Sequence, residues 1–221
     1  MIKTAKISLA ALLTVLFAFS ANAVEIRVGV SAGFAQLEAS GQETLKDSSN
    51  VTKATEQANA IIPSIFAELT ADNGLGLGYD MIAGSADLTG STKTRNLQRH
   101  DDTGTNKANA EVDGVTTLYL IKMFENGLYV KAGLSSADVN TKETLGSGST
   151  YKNISVDGKH FGIGMERVSD GGLFLRAGLE HTDFDTLNLT GSQSGASSTS
   201  FNKIKADIDM TAAKLSVGKR F

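Results

Sequence analysis

Cysteine is absent from this chain of 221 residues, and proline occurs once, at Pro63. Without cysteine the chain has no structural disulfide, no thiolate nucleophile and no lipid-modified cysteine. Beyond the N-terminal segment, no apolar run reaches the roughly 18 residues that a membrane-spanning helix needs. Only three histidines are present, which limits acid–base and metal chemistry. What remains, with 23 glycines and many serines and threonines, favours β structure.

The N-terminus has the three parts of a secretory signal peptide. Lys3 and Lys6 precede an apolar run at 7–19, and Ala21-Asn22-Ala23 supplies the small residues of a cleavage site. We therefore expect a signal peptide at 1–23 and an exported domain at 24–221. Cleavage after residue 23 would remove Lys3 and Lys6, so the formal net charge would change from −3 for the full chain to −5 for the exported domain. A mildly acidic chain with scattered charges gives no indication of nucleic-acid binding.

Two segments are nearly identical, GLYVKAGL at 127–134 and GLFLRAGL at 172–179. In both, apolar residues alternate with a set that contains glycine, one aromatic residue and one cation. Period-two alternation predicts β-strands, because successive side chains point to opposite faces of a sheet. Six further segments alternate in the same way, at 26–34, 63–70, 75–84, 115–124, 159–167 and 210–221.

The predicted strands are joined alternately by short turns and by long polar segments. The long segments lie at 36–61, 85–112, 136–157 and 183–204, and we expect them to be loops. Four such loops are unusual in a soluble domain, whereas long loops at one end and tight turns at the other are typical of membrane β-barrels. Strands can cross lipid only in a closed barrel, where every backbone polar group is paired. We predict an all-β, eight-stranded, antiparallel, up-and-down transmembrane β-barrel.

A soluble barrel with its apolar face inward is the competing interpretation. It would put the glycine-rich face in water, where glycine weakens a strand and gains nothing. A narrow eight-stranded lumen, in contrast, needs small residues between large ones. The strand at 115–124 is ambiguous. There we place Thr117, Tyr119, Ile121 and Met123 outward, because that choice keeps Lys122 off the apolar face.

This parity turns nine ionisable side chains toward the lumen. They are the cations Arg27, Lys122, Lys131, Arg176 and Lys214 and the anions Glu68, Asp80, Glu166 and Glu180. Charges in a confined interior must be paired or hydrated, so we predict a salt-bridge network that plugs the barrel. Glu166 and Arg176 flank one turn and are the first predicted pair. The alternative is that the same groups line a narrow path for ions or small solutes.

The C-terminal segment KLSVGKRF at 214–221 is an alternating strand that ends on an aromatic residue. With seven preceding strands of this kind, the chain resembles the small eight-stranded outer-membrane barrels of Gram-negative bacteria, the OmpA-domain and OmpX-like family. The resemblance implies that Leu215, Val217 and Phe221 form a signal for the barrel-assembly machinery. Lys219 departs from the family pattern, but at the membrane edge a lysine can reach the headgroups.

Catalytic and metal sites have weak support in the sequence. His100 lies in a predicted loop, His160 points inward and His181 points outward, and none stands in a motif with a serine nucleophile. We interpret three acidic pairs as solvated charges, with divalent cations shared with lipopolysaccharide phosphates as the alternative. The pairs are Asp183 with Asp185, Asp207 with Asp209, and the adjacent Asp101 and Asp102. We therefore predict no enzyme activity, no catalytic or metal site and no cofactor.

The sequence thus predicts a cell-surface protein of the outer membrane with a structural or surface-interaction role through four long external loops. The expected partners are outer-membrane lipid, lipopolysaccharide and, during biogenesis, the barrel-assembly machinery. We expect a monomer, and no residue pattern identifies an external ligand. A narrow porin-like pore is the alternative function, and a lipid-modifying enzyme of the outer membrane is a third.

Overall fold

The computed structural model describes residues 24–44, 51–88, 93–96, 105–144, 150–192 and 203–221. These residues form ten strands and include no helix. The strands are β1 Val24–Thr44, β2 Val51–Ala71, β3 Leu75–Ile82, β4 Ala86–Asp87, β5 Lys93–Asn96, β6 Thr105–Met123, β7 Leu128–Thr144, β8 Ile154–Val168, β9 Leu173–Thr190 and β10 Lys203–Arg220. The predicted signal peptide at 1–23 lies outside the described residues.

Eight long strands close into one antiparallel barrel. Each strand pairs with its neighbour in sequence, β10 pairs with β1, and β3 pairs with β6. The short strands β4 and β5 continue the line of β3 along the edge of β6. Three tight turns at one end contain Gly74, Gly127 and Gly172, whose φ angles of 78°, 85° and 78° favour glycine. The predicted eight-stranded barrel is confirmed.

Seven of the eight barrel strands are longer than predicted, and β3 is two residues shorter. We expected segments of about ten residues, the length that spans a membrane, whereas β1 and β2 each contain 21 residues and β8 contains 15. Much of the four predicted loops is therefore barrel wall, including 36–44, 51–61, 136–144 and 183–190. The prediction was wrong in these segments because most of their outward residues are polar, whereas strands were sought by outward apolar residues.

An apolar belt surrounds the barrel at the end that has the tight turns. On β1 the outward residues from Val24 to Phe34 are apolar, and Phe34 is 57% exposed. At about 3.3 Å per residue and a tilt of about 40°, this run is about 25 Å tall, the height of a barrel's lipid-facing band. Leu175 and Leu215 continue the belt and are 66% and 69% exposed. Within the described residues no helix is long and apolar enough to cross a membrane.

Beyond the belt the polarity of the two faces inverts. On β1 the outward residues after Phe34 are Gln36 and Glu38, while the inward Ala35 and Leu37 are buried. The parity of the strand does not change, only the chemistry of each face. The barrel therefore has a polar interior inside the belt and an apolar interior beyond it. We call these parts the inner half and the outer half.

The predicted parity of β6 was wrong. Thr117, Tyr119 and Ile121 are buried in the lumen, and Met123 packs against them. Lys122 lies on the outer face, at the end of the strand, where its ammonium donates to the carbonyl of Asn73 and lies 5.9 Å from the ring centre of Phe124. At this edge of the belt a lysine can keep its charge in water, so it did not need to point inward.

Candidate functional site: the filled lumen

Aromatic rings lie over glycines in the inner half. A Cβ atom added to Gly164 or Gly178 would meet the phenol oxygen of Tyr129, and one added to Gly78 would meet the ring of Tyr119. Phe66 and Phe174 cover glycines of neighbouring strands in the same way; these glycines are Gly29 and Gly218. The glycine-rich face therefore provides the space in which four rings fill a narrow barrel.

Arg176 is the centre of a buried ion network. Its Nη1 and Nη2 atoms lie 2.7 and 2.9 Å from the two carboxylate oxygens of Glu68, and Nη2 lies 2.7 Å from Oε2 of Glu166. The hydroxyl of Tyr119 donates to Oε1 of Glu68 at 2.7 Å. The predicted Glu166–Arg176 pair forms, but the bidentate partner of Arg176 is Glu68, which lies three strands away in the sheet.

The network continues to the rim that carries the tight turns. Nη1 of Arg27 lies 2.5 Å from Oε1 of Glu166, and Nε of Arg27 lies 2.5 Å from Oε1 of Glu25. Glu25 in turn pairs with the exposed Arg220 at 3.2 Å. Charges of alternating sign therefore lead from the barrel rim to its interior.

A second network lies farther from this rim. Glu180 accepts from Lys131 and Lys214, each at 3.0 Å. Lys214 also lies 3.1 Å from Oδ1 of Asp80, whose other oxygen accepts from the hydroxyl of Ser64 at 3.1 Å. Each buried cation thus has a carboxylate partner, which is what allows charges to persist away from water.

Aromatic rings connect the two networks. The ammonium of Lys131 lies 4.5 Å from the ring centre of Tyr119, which hydrogen-bonds Glu68. The guanidinium of Arg176 lies 4.8 Å from the ring centre of Tyr129 and 5.2 Å from that of Phe174. A cation over a ring face is attracted by the ring quadrupole, by about 2 kcal/mol where water is excluded. The rings therefore stabilise the same cations that the carboxylates neutralise.

Eight of the nine predicted lumenal charges lie in the lumen, and Lys122 does not. Arg27, Lys131, Arg176 and Lys214 balance Glu68, Asp80, Glu166 and Glu180, and each residue is at most 7% exposed. Sequence reasoning missed Tyr119, because its strand was assigned the wrong parity. In the structure Tyr119 lies beside Gly78 and Gly133, which face the lumen on the two neighbouring strands.

The outer half of the lumen is filled by apolar side chains. Sixteen buried residues form one cluster there: Ala35, Leu37, Ile62, Ile82, Leu88, Val112, Val115, Ala137, Val139, Val156, Phe184, Leu187, Leu189, Ile208, Met210 and Ala212. The outward residues at the same level are polar, so this part of the barrel is built like a soluble protein with an apolar core. We call the cluster the apolar plug. The apolar plug was not predicted from the sequence.

The histidines have ordinary structural contacts. Nδ1 of His160 lies 3.0 Å from the hydroxyl of Thr182, which is fully buried, and Nε2 lies 4.0 Å from Glu180. His181 faces outward, 2.9 Å from the hydroxyl of Thr211 and 3.9 Å from Asp209. Across the described residues no group of three or more histidines and carboxylates could hold a metal ion. His100, Asp101 and Asp102 lie outside the described residues.

The C-terminal strand closes the barrel against β1. Leu215, Val217 and Phe221 face outward and are 69%, 47% and 69% exposed. The backbone of Phe221 exchanges hydrogen bonds of 2.8 and 3.2 Å with Ile26. The ammonium of Lys219 lies 5.2 Å from the ring centre of Phe221, at the edge of the belt.

Comparison with known proteins identifies the fold. No family model and no curated protein matches this chain. Among solved structures, outer membrane protein OprG from Pseudomonas aeruginosa is similar with a TM-score of 0.55 and 12% identity, over 90% of this chain and 97% of that chain. Outer membrane protein AlkL in lipid bilayers is similar with a TM-score of 0.50 and 12% identity, over 90% of this chain and 91% of that chain. The chain has the fold of the small eight-stranded outer-membrane β-barrels.

Proposed function

We propose that this protein is a closed outer-membrane barrel that acts as a structural and surface-interaction element. The observation that carries the proposal is the filling of the lumen by two different layers. The neutral ion network and its aromatic rings fill the inner half, and the apolar plug fills the outer half. An ion crossing the barrel would have to break buried ion pairs and then enter an apolar zone, and both steps are unfavourable.

The outer half supports the surface role. From Phe34 to Thr44, β1 continues for ten residues beyond the belt, which at about 3.3 Å per residue and a tilt of about 40° is about 25 Å. A hydrogen-bonded barrel with an apolar core is a more rigid carrier of external groups than the loops that the sequence indicated. We propose that this extension, rather than flexible loops, presents the protein to its surroundings.

Location and partners follow from the same architecture. OprG and AlkL are outer-membrane proteins, which supports the same location for this chain. The apolar belt would contact outer-membrane lipid and lipopolysaccharide, and the exposed Leu215, Val217 and Phe221 would be available to the assembly machinery before insertion. We propose that the protein is a monomer, since one chain closes its own barrel and leaves no long strand edge inside the belt.

A narrow pore is the second candidate, and one observation favours it. The ion network reaches the exposed pair Glu25–Arg220, so the polar inner half is in contact with water at one end. If the apolar plug moved, the paired charges could line a path for ions or small solutes.

Single-channel recording separates the two functions. We expect no steady conductance from the refolded protein in a planar bilayer, with folding shown by the different gel migration of unheated and heated samples. Steady conductance that changes in Glu166→Gln, but not in the outward-facing control Glu38→Gln, would contradict the closed barrel and favour the pore. Glu166 is buried in the ion network, whereas Glu38 faces outward and accepts from Gln57 at 2.7 Å.

A further inference from the structure

The outer ends of β1, β9 and β10 form a depression on the outside of the barrel wall, with a volume of about 350 Å³. Its lining residues are Gln42, Thr44, Asn188, Leu189, Thr190, Lys203, Ile204 and Lys205. Two of them are lysines, four carry amides or hydroxyls, and none is a carboxylate.

The strand register arranges these residues in two rows. Lys203 pairs with Thr44 on one side and Thr190 on the other. Lys205 pairs with Gln42 and Asn188, and Gln42 pairs in turn with Lys53 on β2. Strands lie about 4.8 Å apart and alternate residues about 7 Å apart, so the backbone brings the three lysines within about 12 Å of one another. We call these two cross-strand rows the basic rows: Thr44, Lys203 and Thr190 form one, and Lys53, Gln42, Lys205 and Asn188 form the other.

The lysines of the basic rows are exposed. Within the described parts of the chain, Lys53, Lys203 and Lys205 take part in no ion pair, although other cations of the barrel do. The surface on the belt side of these rows has the opposite sign. Nearer the belt, one cross-strand row places Glu38, Asp209 and Asp183 side by side on the outward face. Because neighbouring like charges are unfavourable, three cations grouped on an acidic protein, none with an ion-pair partner in the described segments, suggest a bound anion.

The distance from the membrane restricts the kind of anion. Gln42 lies eight residues beyond Phe34, which at about 3.3 Å per residue and a tilt of about 40° places it about 20 Å above the belt. The phosphates of the lipid headgroups, which border the belt, are therefore out of reach. Amides and hydroxyls that both donate and accept hydrogen bonds alternate with the ammonium groups. This combination suits sugar hydroxyls next to sulfate or phosphate groups.

We propose that the basic rows bind an anionic saccharide, with its sulfate or phosphate groups at Lys53, Lys203 and Lys205 and its hydroxyls at the flanking amides and hydroxyls. The inference rests on the proposed surface role and names the ligand class. The saccharide belongs either to lipopolysaccharide of the same membrane or to another surface. Three cations beside an acidic surface give an interaction that weakens as salt screens it.

Binding of dextran sulfate tests the proposal. The protein is held in phospholipid nanodiscs without lipopolysaccharide, and uncharged dextran of equal length is the control ligand. We expect Lys203→Gln with Lys205→Gln to weaken binding at least tenfold. The control, Lys152→Gln with Lys159→Gln, removes the same charge from exposed positions outside the basic rows and should bind as the wild type does. Gel migration of unheated samples verifies that each variant is folded.

The proposal would be overturned if the two double variants lost dextran sulfate binding equally, or if the wild type bound dextran sulfate and uncharged dextran equally. Competition then assigns the source: displacement by phosphorylated lipopolysaccharide points to the protein's own membrane, and retention of dextran sulfate points to another surface. A folded, non-conducting barrel that binds no dextran sulfate would overturn this inference alone. A barrel that conducts but binds through the basic rows would overturn the closed lumen alone.

Discussion

At the scale of single residues, the interior depends on partners that lie far apart in the sequence. Arg176 holds Glu68 and Glu166 together, and its side chain is 1% exposed. Arg176→Met would leave the buried carboxylate of Glu68 without its cation and would leave Glu166 paired only with Arg27. We expect the free energy of unfolding to fall by about 3–5 kcal/mol, the usual result of breaking a buried ion pair from one side. Urea unfolding in lipid vesicles measures this loss.

The matched control for this prediction removes the charges together. The double variant Glu68→Gln, Arg176→Met should be more stable than Arg176→Met alone, because no unpaired carboxylate remains at position 68 and Glu166 keeps its pair with Arg27. If Arg176→Met unfolded at the urea concentration of the wild type, the ion network would have no part in stability.

The glycines that face the lumen differ in how much room they leave for a side chain. A Cβ on Gly164 would meet both the carbonyl of Ala177 and the phenol oxygen of Tyr129, whereas one on Gly162 would have its nearest contact at 3.2 Å, with Cγ of Glu180. We expect Gly164→Ala to destabilise the barrel by about 1–3 kcal/mol, as overpacking does, and Gly162→Ala to cost less. Urea unfolding of the two variants checks the order, and a reversed order would contradict the packing of Tyr129.

At the scale of the strand, alternation predicts the belt well because lipid requires an apolar outward face. The prediction failed on β6, where Leu118 and Leu120 on one face compete with Tyr119 and Ile121 on the other. It also failed in the outer half, where water is outside and the apolar face turns inward. The Glu68–Arg176 pair could not be predicted, because strands β2 and β9 meet across the lumen only after the barrel closes.

The last strand carries a prediction about assembly. If Phe221 forms part of the signal read during biogenesis, Phe221→Ala should lower the amount of folded protein in the outer membrane several-fold. Phe161→Ala is the control, since Phe161 is also an outward belt residue, 56% exposed, but lies inside β8. Quantifying the heat-modifiable form in membrane fractions separates the two. An equal fall in both variants would assign the effect to loss of belt area.

At the scale of the whole molecule, one barrel has an outer face suited to lipid in one half and an outer face suited to water in the other. The inner half is built like a membrane protein, with apolar residues outside and paired charges inside. The outer half is a water-soluble barrel, with polar residues outside and the apolar plug inside. The change occurs within single strands and without a break in their pairing, as between Phe34 and Gln36 on β1. In the proposed function, this division closes the lumen and leaves the outer surface available for binding.

The division can be measured directly because the chain contains no cysteine. Single cysteines at positions 28, 30, 34, 36, 38 and 40 of β1 would carry spin labels on the outward face of the protein in lipid vesicles. We predict that labels at 28, 30 and 34 are relaxed by oxygen dissolved in lipid, and that labels at 36, 38 and 40 are relaxed by a water-soluble nickel complex. Relaxation of the labels at 28 and 30 by the nickel complex, or of those at 38 and 40 by lipid oxygen, would contradict the account.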